Sequence, residues 1–251
     1  MKVLILTPLG VTVHHRFCQS MAEAYRKLPY ISWVSVPAVS DVAAARNHLT
    51  SVFMQSTADF AIWIDSDEDF STLDIDAALA PLRAGESELC AVPYAQKKPG
   101  KVKWNFAFWP GEVEKQLGYT GPKLTLDSSV YVRARYAGTG FLAMTRAAVE
   151  KASQIVNCYE PFLSIKKADL VGGGVTHSKE KQFAIFEPRI IDGRRYGEDY
   201  GACHIFNKCG LDILLATVTT VGHFDGNIRY GEEFDLDDYA RRSAAYYEES
   251  R

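Results

Sequence analysis

The sequence has few cysteines, no paired-cysteine motif and no long apolar run. Its five cysteines are scattered, odd in number and never spaced C-x-x-C, which argues against a disulfide framework or a zinc site and favours reduced thiols. No apolar stretch approaches the roughly 18 residues that a membrane-spanning helix needs. The short apolar N-terminus is interrupted by Pro8 and has no signal-peptide cleavage site, so we expect a cytoplasmic protein without a transmembrane segment.

The sequence also lacks the two common glycine-rich phosphate-binding motifs. It contains neither G-x-x-x-x-G-K-[ST] nor a strand-G-x-G-x-x-G-helix unit. A bound diphosphate would therefore need another source of neutralisation, and a divalent cation is one. The formal net charge is −3, whereas proteins that neutralise nucleic-acid phosphates are usually basic, so strong duplex binding is not indicated.

The N-terminal part of the chain alternates between strand and helix patterns. Apolar runs and helical spacings predict, in order, a strand over 2–7, a helix over 16–28, a strand over 31–36, a helix from Ser40 or Asp41 to about Gln55, and a strand over 60–64. This β-α-β-α-β order predicts parallel strands with right-handed crossovers. Ligands of such sheets lie at the carboxyl ends of the strands, where Thr7, Pro8 and Asp65 fall.

Weaker patterns follow along the rest of the chain. They predict helices over 73–82, 146–155, 197–209 and 236–249, and strands over 88–93, 130–136, 140–144 and 213–218. The stretch 94–129 predicts loops or a small antiparallel appendage, and the glycine-rich stretch 166–181 predicts a mobile loop. No internal repeat or linker interrupts the 251 residues, so we expect one domain over 1–251.

An acidic run directly follows the strand over 60–64. Asp65, Asp67, Glu68 and Asp69 stand within five residues, and oxygen ligands of this kind suit a divalent cation. A solvated acidic loop is the alternative interpretation of the run by itself. We expect Asp67 and Asp65 to be the metal-site residues and Glu68 and Asp69 to be bystanders, although the sequence leaves open which carboxylates bind.

Two further pairs of polar residues are candidates for binding or catalysis. Arg46 and Asn47 stand in an otherwise apolar helix, from which they could bond a base edge or a phosphate, or simply face solvent. Glu198 and Asp199 begin a later helix. Acids in a first turn often only stabilise the helix dipole, but one of these carboxylates could also act as a general base.

His223 is a candidate metal ligand. It follows the β-rich run over 213–221. Gly222 before it and Gly226 after it leave room for a ligand to approach closely. A structural histidine is the alternative interpretation. An imidazole would complete a site with Asp67, and Mn²⁺ accepts a nitrogen ligand more readily than Mg²⁺ does.

The order of these motifs is more informative than any one of them. In chain order they are Thr7-Pro8, Ala45-Arg46-Asn47, Asp65-Ser66-Asp67, Gly138-Thr139-Gly140-Phe141, Gly197-Glu198-Asp199-Tyr200 and Val221-Gly222-His223. This succession resembles the GT-A glycosyltransferases, and most closely the family-2-like enzymes of bacteria and phages. It spans about residues 1–226 and implies an α/β, Rossmann-like GT-A fold with a mixed central sheet flanked by helices.

The resemblance also implies a role for each donor-binding residue. Their shared task would be to hold a nucleoside-diphosphate sugar: Thr7 and Pro8 at the nucleotide pocket, Arg46 and Asn47 at the base, Lys97 at the diphosphate, and Gly140 in the segment that shapes the sugar side.

The metal site and the catalytic centre follow from the same resemblance. Asp65 would contact the ribose or a metal-bound water, Asp67 would bind Mn²⁺ or Mg²⁺ directly, and His223 would close the metal site. Glu198 and Asp199 match the acid pair at the catalytic centre, where Asp199 would be the general base.

The implied activity is metal-dependent transfer of a sugar from a nucleoside-diphosphate sugar to an acceptor hydroxyl. We expect a single displacement with inversion, and retention stays open. The acceptor could be a saccharide, a small molecule or a modified nucleobase. One alternative is a nucleotidyltransferase that makes nucleotide-sugars, but the stretch 9–14 lacks the lysine expected in its loop. The other alternative is a non-catalytic sugar- or nucleotide-binding module.

Overall fold

A computed structural model describes most of the chain. The described residues are 1–10, 13–36, 41–97, 104–108, 131–160, 181–217, 219, 221–225 and 228–230. The helix predicted over 236–249 lies outside them, as does the loop predicted over 166–181 except for Lys181. Within these ranges, no helix combines the length and the apolar character needed to cross a membrane.

The described residues form strands and helices that alternate in the first third of the chain. The strands are β1 (Val3–Pro8), β2 (Ile31–Val36), β3 (Phe60–Ile64), β4 (Glu68–Asp69), β5 (Leu89–Ala91), β6 (Phe106–Phe108), β7 (Tyr131–Ala137), β8 (Phe141–Thr145), β9 (Cys158–Tyr159), β10 (Gln182–Phe183), β11 (Arg189–Ile191), β12 (Arg194–Tyr196), β13 (Ile213–Ala216), β14 (Gly222–Asp225) and β15 (Ile228–Tyr230). The helices are α1 (His15–Lys27), α2 (Val42–Gln55), α3 (Thr72–Arg83), α4 (Arg146–Ser153) and α5 (Glu198–Lys208).

Eight of these strands form a mixed central sheet in the order β2-β1-β3-β8-β5-β13-β7-β6. The first three strands are parallel, as the β-α-β-α-β pattern predicts. Strand β8 then runs antiparallel between β3 and β5. The α/β class and the mixed central sheet flanked by helices are confirmed, and the architecture is consistent with a Rossmann-like GT-A fold.

Both faces of the sheet are buried beneath helices. Along β1, Val3 and Ile5 pack in the cluster that includes residues of α1 and α3, whereas Leu4 and Leu6 pack in the cluster that includes residues of α2, α4 and α5. Successive side chains of a strand point to opposite faces, so a strand buried on both faces must be continuously apolar. This is why β1 and β3 are the clearest strand signals in the sequence.

The antiparallel strand β8 creates the edge that carries the polar residues. Because β3 and β8 pair with Ile64 opposite Phe141, the carboxyl end of β3 meets the amino end of β8. The backbone N–H of Asp65 donates to the carbonyl of Gly140 at 3.0 Å, which extends this pairing past the strand. Thr7 and Pro8 end β1 on the same edge, because β1 and β3 are parallel.

Several short strands were not predicted. Strand β6 lies within the stretch for which loops or an appendage were predicted, and it adds to the edge of the central sheet beside β7. Strands β11 and β12 form a separate hairpin, and β15, β14 and β4 form a three-stranded sheet. Strands of two to four residues are too short to show a clear period, so only their pairing in the folded chain defines them.

Candidate active site

The three-stranded sheet brings the acidic run to the histidine. Strand β4 pairs antiparallel with β14, with Glu68 opposite His223, and the N–H of Phe224 donates to the carbonyl of Asp67 at 3.0 Å. Directly opposed residues of an antiparallel pair extend from the same face. Glu68 and His223 therefore extend from one face. Asp67, which precedes β4, joins them, and the ligand atoms that the three residues offer all lie within 4.8 Å of one another.

The same alternation separates Asp69 from this cluster. Next to Glu68 in β4, its side chain points to the other face of the strand. There the hydroxyl of Ser20, in α1, donates to Asp69 Oδ1 at 3.4 Å. Asp69 therefore packs against helix α1.

His223 has the tautomer and the charge state that a metal ligand needs. Its Nδ1 lies 2.8 Å from the carbonyl oxygen of Ala95, and since a carbonyl can only accept, Nδ1 carries the proton. Nε2 then presents its lone pair 3.6 Å from Asp67 Oδ1. Burial lowers the pKa of His223, despite the opposing effect of Asp67, which favours the neutral imidazole. Metal-binding histidines commonly donate their other ring N–H to a carbonyl in this way.

Glu68 is the most unusual member of the cluster. Its side chain is fully buried, and neither carboxylate oxygen has a hydrogen-bond partner among the described residues. Burial, followed by Asp65 and Asp67, raises the pKa of Glu68 well above its ordinary value. Buried charges in proteins are normally paired or bound to a metal, so this carboxylate fits a cation site.

Asp65 is bound by Arg46 and is not one of the three clustered residues. Arg46 Nη2 donates to both carboxylate oxygens of Asp65, at 2.8 and 3.0 Å, and Nη1 donates to the carbonyl of Thr139 at 3.2 Å. The guanidinium is 3% exposed and lies 5.5 Å from the centre of the Trp63 ring. Among the described residues, the cluster of potential metal ligands thus consists of Asp67, Glu68 and His223.

Arg46 and Asn47 both point into the protein. Asn47 Oδ1 accepts from the N–H of Phe186 at 2.9 Å, while Nδ2 donates to the Phe186 carbonyl at 3.3 Å and to Glu187 Oε1 at 2.9 Å. The side chain is fully buried. Its hydrogen-bonding groups are used within the protein, so it lies neither at an open crevice nor towards solvent, the two positions that the sequence suggested.

The acid pair lies on the other side of Arg46. Glu198 and Asp199 form the first turn of α5, and Glu198 Oε1 is 3.9 Å from Arg46 Nε. Asp199 Oδ1 accepts from the N–H of Tyr200 at 2.8 Å. Burial, and then the charge of Glu198, raise the pKa of Asp199. Arg46 therefore contacts both Asp65, which it hydrogen-bonds, and Glu198 of the acid pair.

The remaining predicted residues lie around this centre. Lys97 forms an ion pair with Asp67. Thr7 is fully buried and accepts a hydrogen bond from Trp33 Nε1 at 3.0 Å, whereas Pro8, at the end of β1, is partly exposed. A Cβ on Gly140 would lie 2.7 Å from Glu68 Oε1 and 2.8 Å from the Tyr94 hydroxyl, so a side chain at this position would displace one of these groups.

Tyr94 and Asn105 belong to the site and were missed. The Tyr94 hydroxyl accepts from Asn105 Nδ2 at 2.6 Å and from the N–H of Gly140 at 2.9 Å, and its ring packs edge-on to His223 with centroids 5.2 Å apart. A Cβ on Gly138 would lie 2.1 Å from both side chains. The one available signal was the pair of glycines, which indicates a close approach but not the residues that make it.

The fold and this arrangement define an α/β protein with an acidic, cation-compatible centre at the carboxyl edge of its central sheet. No protein-family model and no curated protein matches the chain. Among solved structures, the crystal structure of A197 from STIV is similar to it, with a TM-score of 0.53 and 14% sequence identity. The match covers 90% of this chain and 86% of that chain. A likeness at this identity establishes a shared fold.

Proposed function

We propose that the protein is a metal-dependent glycosyltransferase that moves a sugar from a nucleoside-diphosphate sugar to an acceptor hydroxyl, with inversion. One observation carries the proposal. The cation-compatible cluster around Asp67 and His223 and the acid pair Glu198 and Asp199 converge at one edge of the sheet, with Arg46 between them. A donor diphosphate and an acceptor hydroxyl need these two kinds of group side by side.

Asp67 and His223 are the proposed ligands for Mn²⁺ or Mg²⁺. The neutral imidazole and the carboxylate face each other at 3.6 Å, and the set of donors suits Mn²⁺. When bound, the ion would supply positive charge for the diphosphate leaving group. The ammonium of Lys97, which is paired with Asp67, lies where it can contact the same phosphates.

Asp65 is the proposed contact of the donor ribose. Its two hydrogen bonds from Arg46 fix the carboxylate, yet its side chain is still 25% exposed and each oxygen has a second lone pair. Thr7, Pro8 and Gly140 lie on the same edge of the sheet. Arg46 and Asn47 act as positioning residues in this proposal, since both are bonded within the protein.

Asp199 is the proposed general base. It would accept the proton of the acceptor hydroxyl as that oxygen forms a bond to the anomeric carbon and the bond from this carbon to the diphosphate breaks. Its raised pKa makes it a better proton acceptor than an exposed aspartate. Glu198 Oε1 lies 3.9 Å from Arg46 Nε, so in this proposal Glu198 adds negative charge beside the guanidinium that binds Asp65.

The test has a binding step and a turnover step. Nucleoside diphosphates and nucleotide-sugars are screened by thermal shift with and without Mn²⁺, and we expect metal-dependent stabilisation by one base. Release of nucleoside diphosphate from the selected donor is then measured with candidate acceptors, and the anomeric configuration of the product is read by NMR.

Two aspartate variants complete the experiment. Asp199→Asn should lower turnover by roughly 10²–10⁴-fold while donor binding is retained. Asp212→Asn is the matched control, because that side chain is 55% exposed and pairs with Arg133. Near-normal turnover in Asp199→Asn would refute the base assignment, and no thermal response to any nucleotide would refute the proposal as a whole.

A further inference from the structure

Glu68 is a buried carboxylate that forms no ion pair with any described residue. Lys97 pairs with Asp67, and Arg46 donates to both oxygens of Asp65. Neither oxygen of Glu68 receives a hydrogen bond from any described residue, although the side chain is fully buried. An ionised group in this position is costly unless a cation approaches it.

The backbone holds this carboxylate towards Asp67 and His223. Pairing of β4 with β14 sets Glu68 opposite His223, and the ligand atoms of the three residues lie within 4.8 Å of one another. Gly140 leaves space for Glu68 Oε1, because a Cβ at position 140 would lie only 2.7 Å from that oxygen. A residue needed only for packing would not require a carboxylate here.

We propose that Glu68, the residue that follows the Asp-Ser-Asp motif, is a ligand of the metal ion, and that it completes a site with Asp67 and His223. Asp65 is then free of the metal and held by Arg46 for the donor. The inference rests on the proposed function for the presence of a metal, but it assigns the ligand set independently of any transfer reaction. It also means that the site is destabilised until a cation binds.

Manganese binding and thermal stability test this inference together. Mn²⁺ alone is titrated into the wild-type protein and Glu68→Gln, bound ion is followed by loss of the free Mn²⁺ EPR signal, and melting temperatures are measured with and without Mn²⁺. We expect Glu68→Gln to melt about 2–4 °C higher than the wild type without metal, since folding of the metal-free wild type must either bury an unpaired charge or take up a proton, and glutamine requires neither. Its Mn²⁺ affinity should fall by at least roughly 10–100-fold, the loss typical of an outer partner of a metal site.

Two further variants separate charge from position. Gly140→Ala keeps all the carboxylates, but its Cβ would lie 2.7 Å from Glu68 Oε1 and 2.8 Å from the Tyr94 hydroxyl, so it should weaken Mn²⁺ binding without the gain in metal-free stability. Glu86→Gln, on an exposed carboxylate, is the matched control and should change neither quantity.

The outcomes are distinguishable. If Glu68→Gln melts lower than the wild type and binds Mn²⁺ with unchanged affinity, Glu68 is a structural residue and the inference is overturned. The inference is also overturned if the wild-type protein binds no Mn²⁺. If Mn²⁺ binding depends on Glu68 but no nucleotide-sugar is turned over, this inference stands while the proposed transferase function fails.

Discussion

Replacing Arg46 with Met removes the central cation of the site at nearly constant volume. The guanidinium is 3% exposed and makes two hydrogen bonds to Asp65 and one to the Thr139 carbonyl, with Glu198 3.9 Å away. Removing one partner of a buried ion pair typically costs about 3–5 kcal/mol, because the other charge stays behind. Asp65 is 25% exposed and can be partly rehydrated, so we expect a loss near the low end, about 3 kcal/mol.

Denaturant unfolding measures this loss. Unfolding is followed by tryptophan fluorescence. Trp63 is one of four tryptophans, is fully buried and lies 5.5 Å from the guanidinium, so its exposure contributes to the signal from this part of the fold. Coincident fluorescence and circular-dichroism curves would establish that the free energy is a two-state quantity. Arg83→Met is the control, since its ion pair with Asp76 is exposed and should be worth at most about 1 kcal/mol.

A double-mutant cycle gives the decisive comparison. Asp65→Asn removes the charge that Arg46→Met leaves unpaired, so the double variant should be destabilised by less than the sum of the two single variants. Additivity to within about 0.5 kcal/mol would show that the two residues are energetically independent. That result, or a loss below about 1 kcal/mol for Arg46→Met, would refute the argument that the arginine balances the acidic centre.

Three other predictions concern the neighbouring residues. Burial raises the pKa of Asp199, and the base must be ionised, so turnover should fall as the pH drops through that raised pKa; a rate independent of pH on the acidic side would contradict this. Asn47→Leu should lower the free energy of unfolding by about 1–3 kcal/mol, because the buried N–H of Phe186 loses its acceptor. Gly201→Ala should cost about 1–3 kcal/mol by unfolding, since a Cβ would lie 2.0 Å from a backbone oxygen; Gly197→Ala, with 3.3 Å available, is the control.

Local patterns in the sequence were sufficient for the elements that build the sheet. The apolar runs at β1 and β3 match strands buried on both faces, and Asp41 caps α2 by accepting from the N–H groups of Ala43 and Ala44. These features depend on residues close together in the chain, where the periods of helix and strand are visible. The β-α-β-α-β pattern placed Asp65 at the carboxyl edge of the sheet, because Asp65 directly follows the strand β3.

The partners of each polar residue were decided by tertiary structure. The short strand β4 turns Glu68 towards His223 and Asp69 towards α1, a division that the acidic run itself does not contain. Likewise, only the packing of α2 against distant segments shows that Arg46 and Asn47 face inward. Neighbours in the sequence share a charge pattern, but burial and cross-strand pairing assign each of them a separate environment, and it is the environment that determines the chemistry.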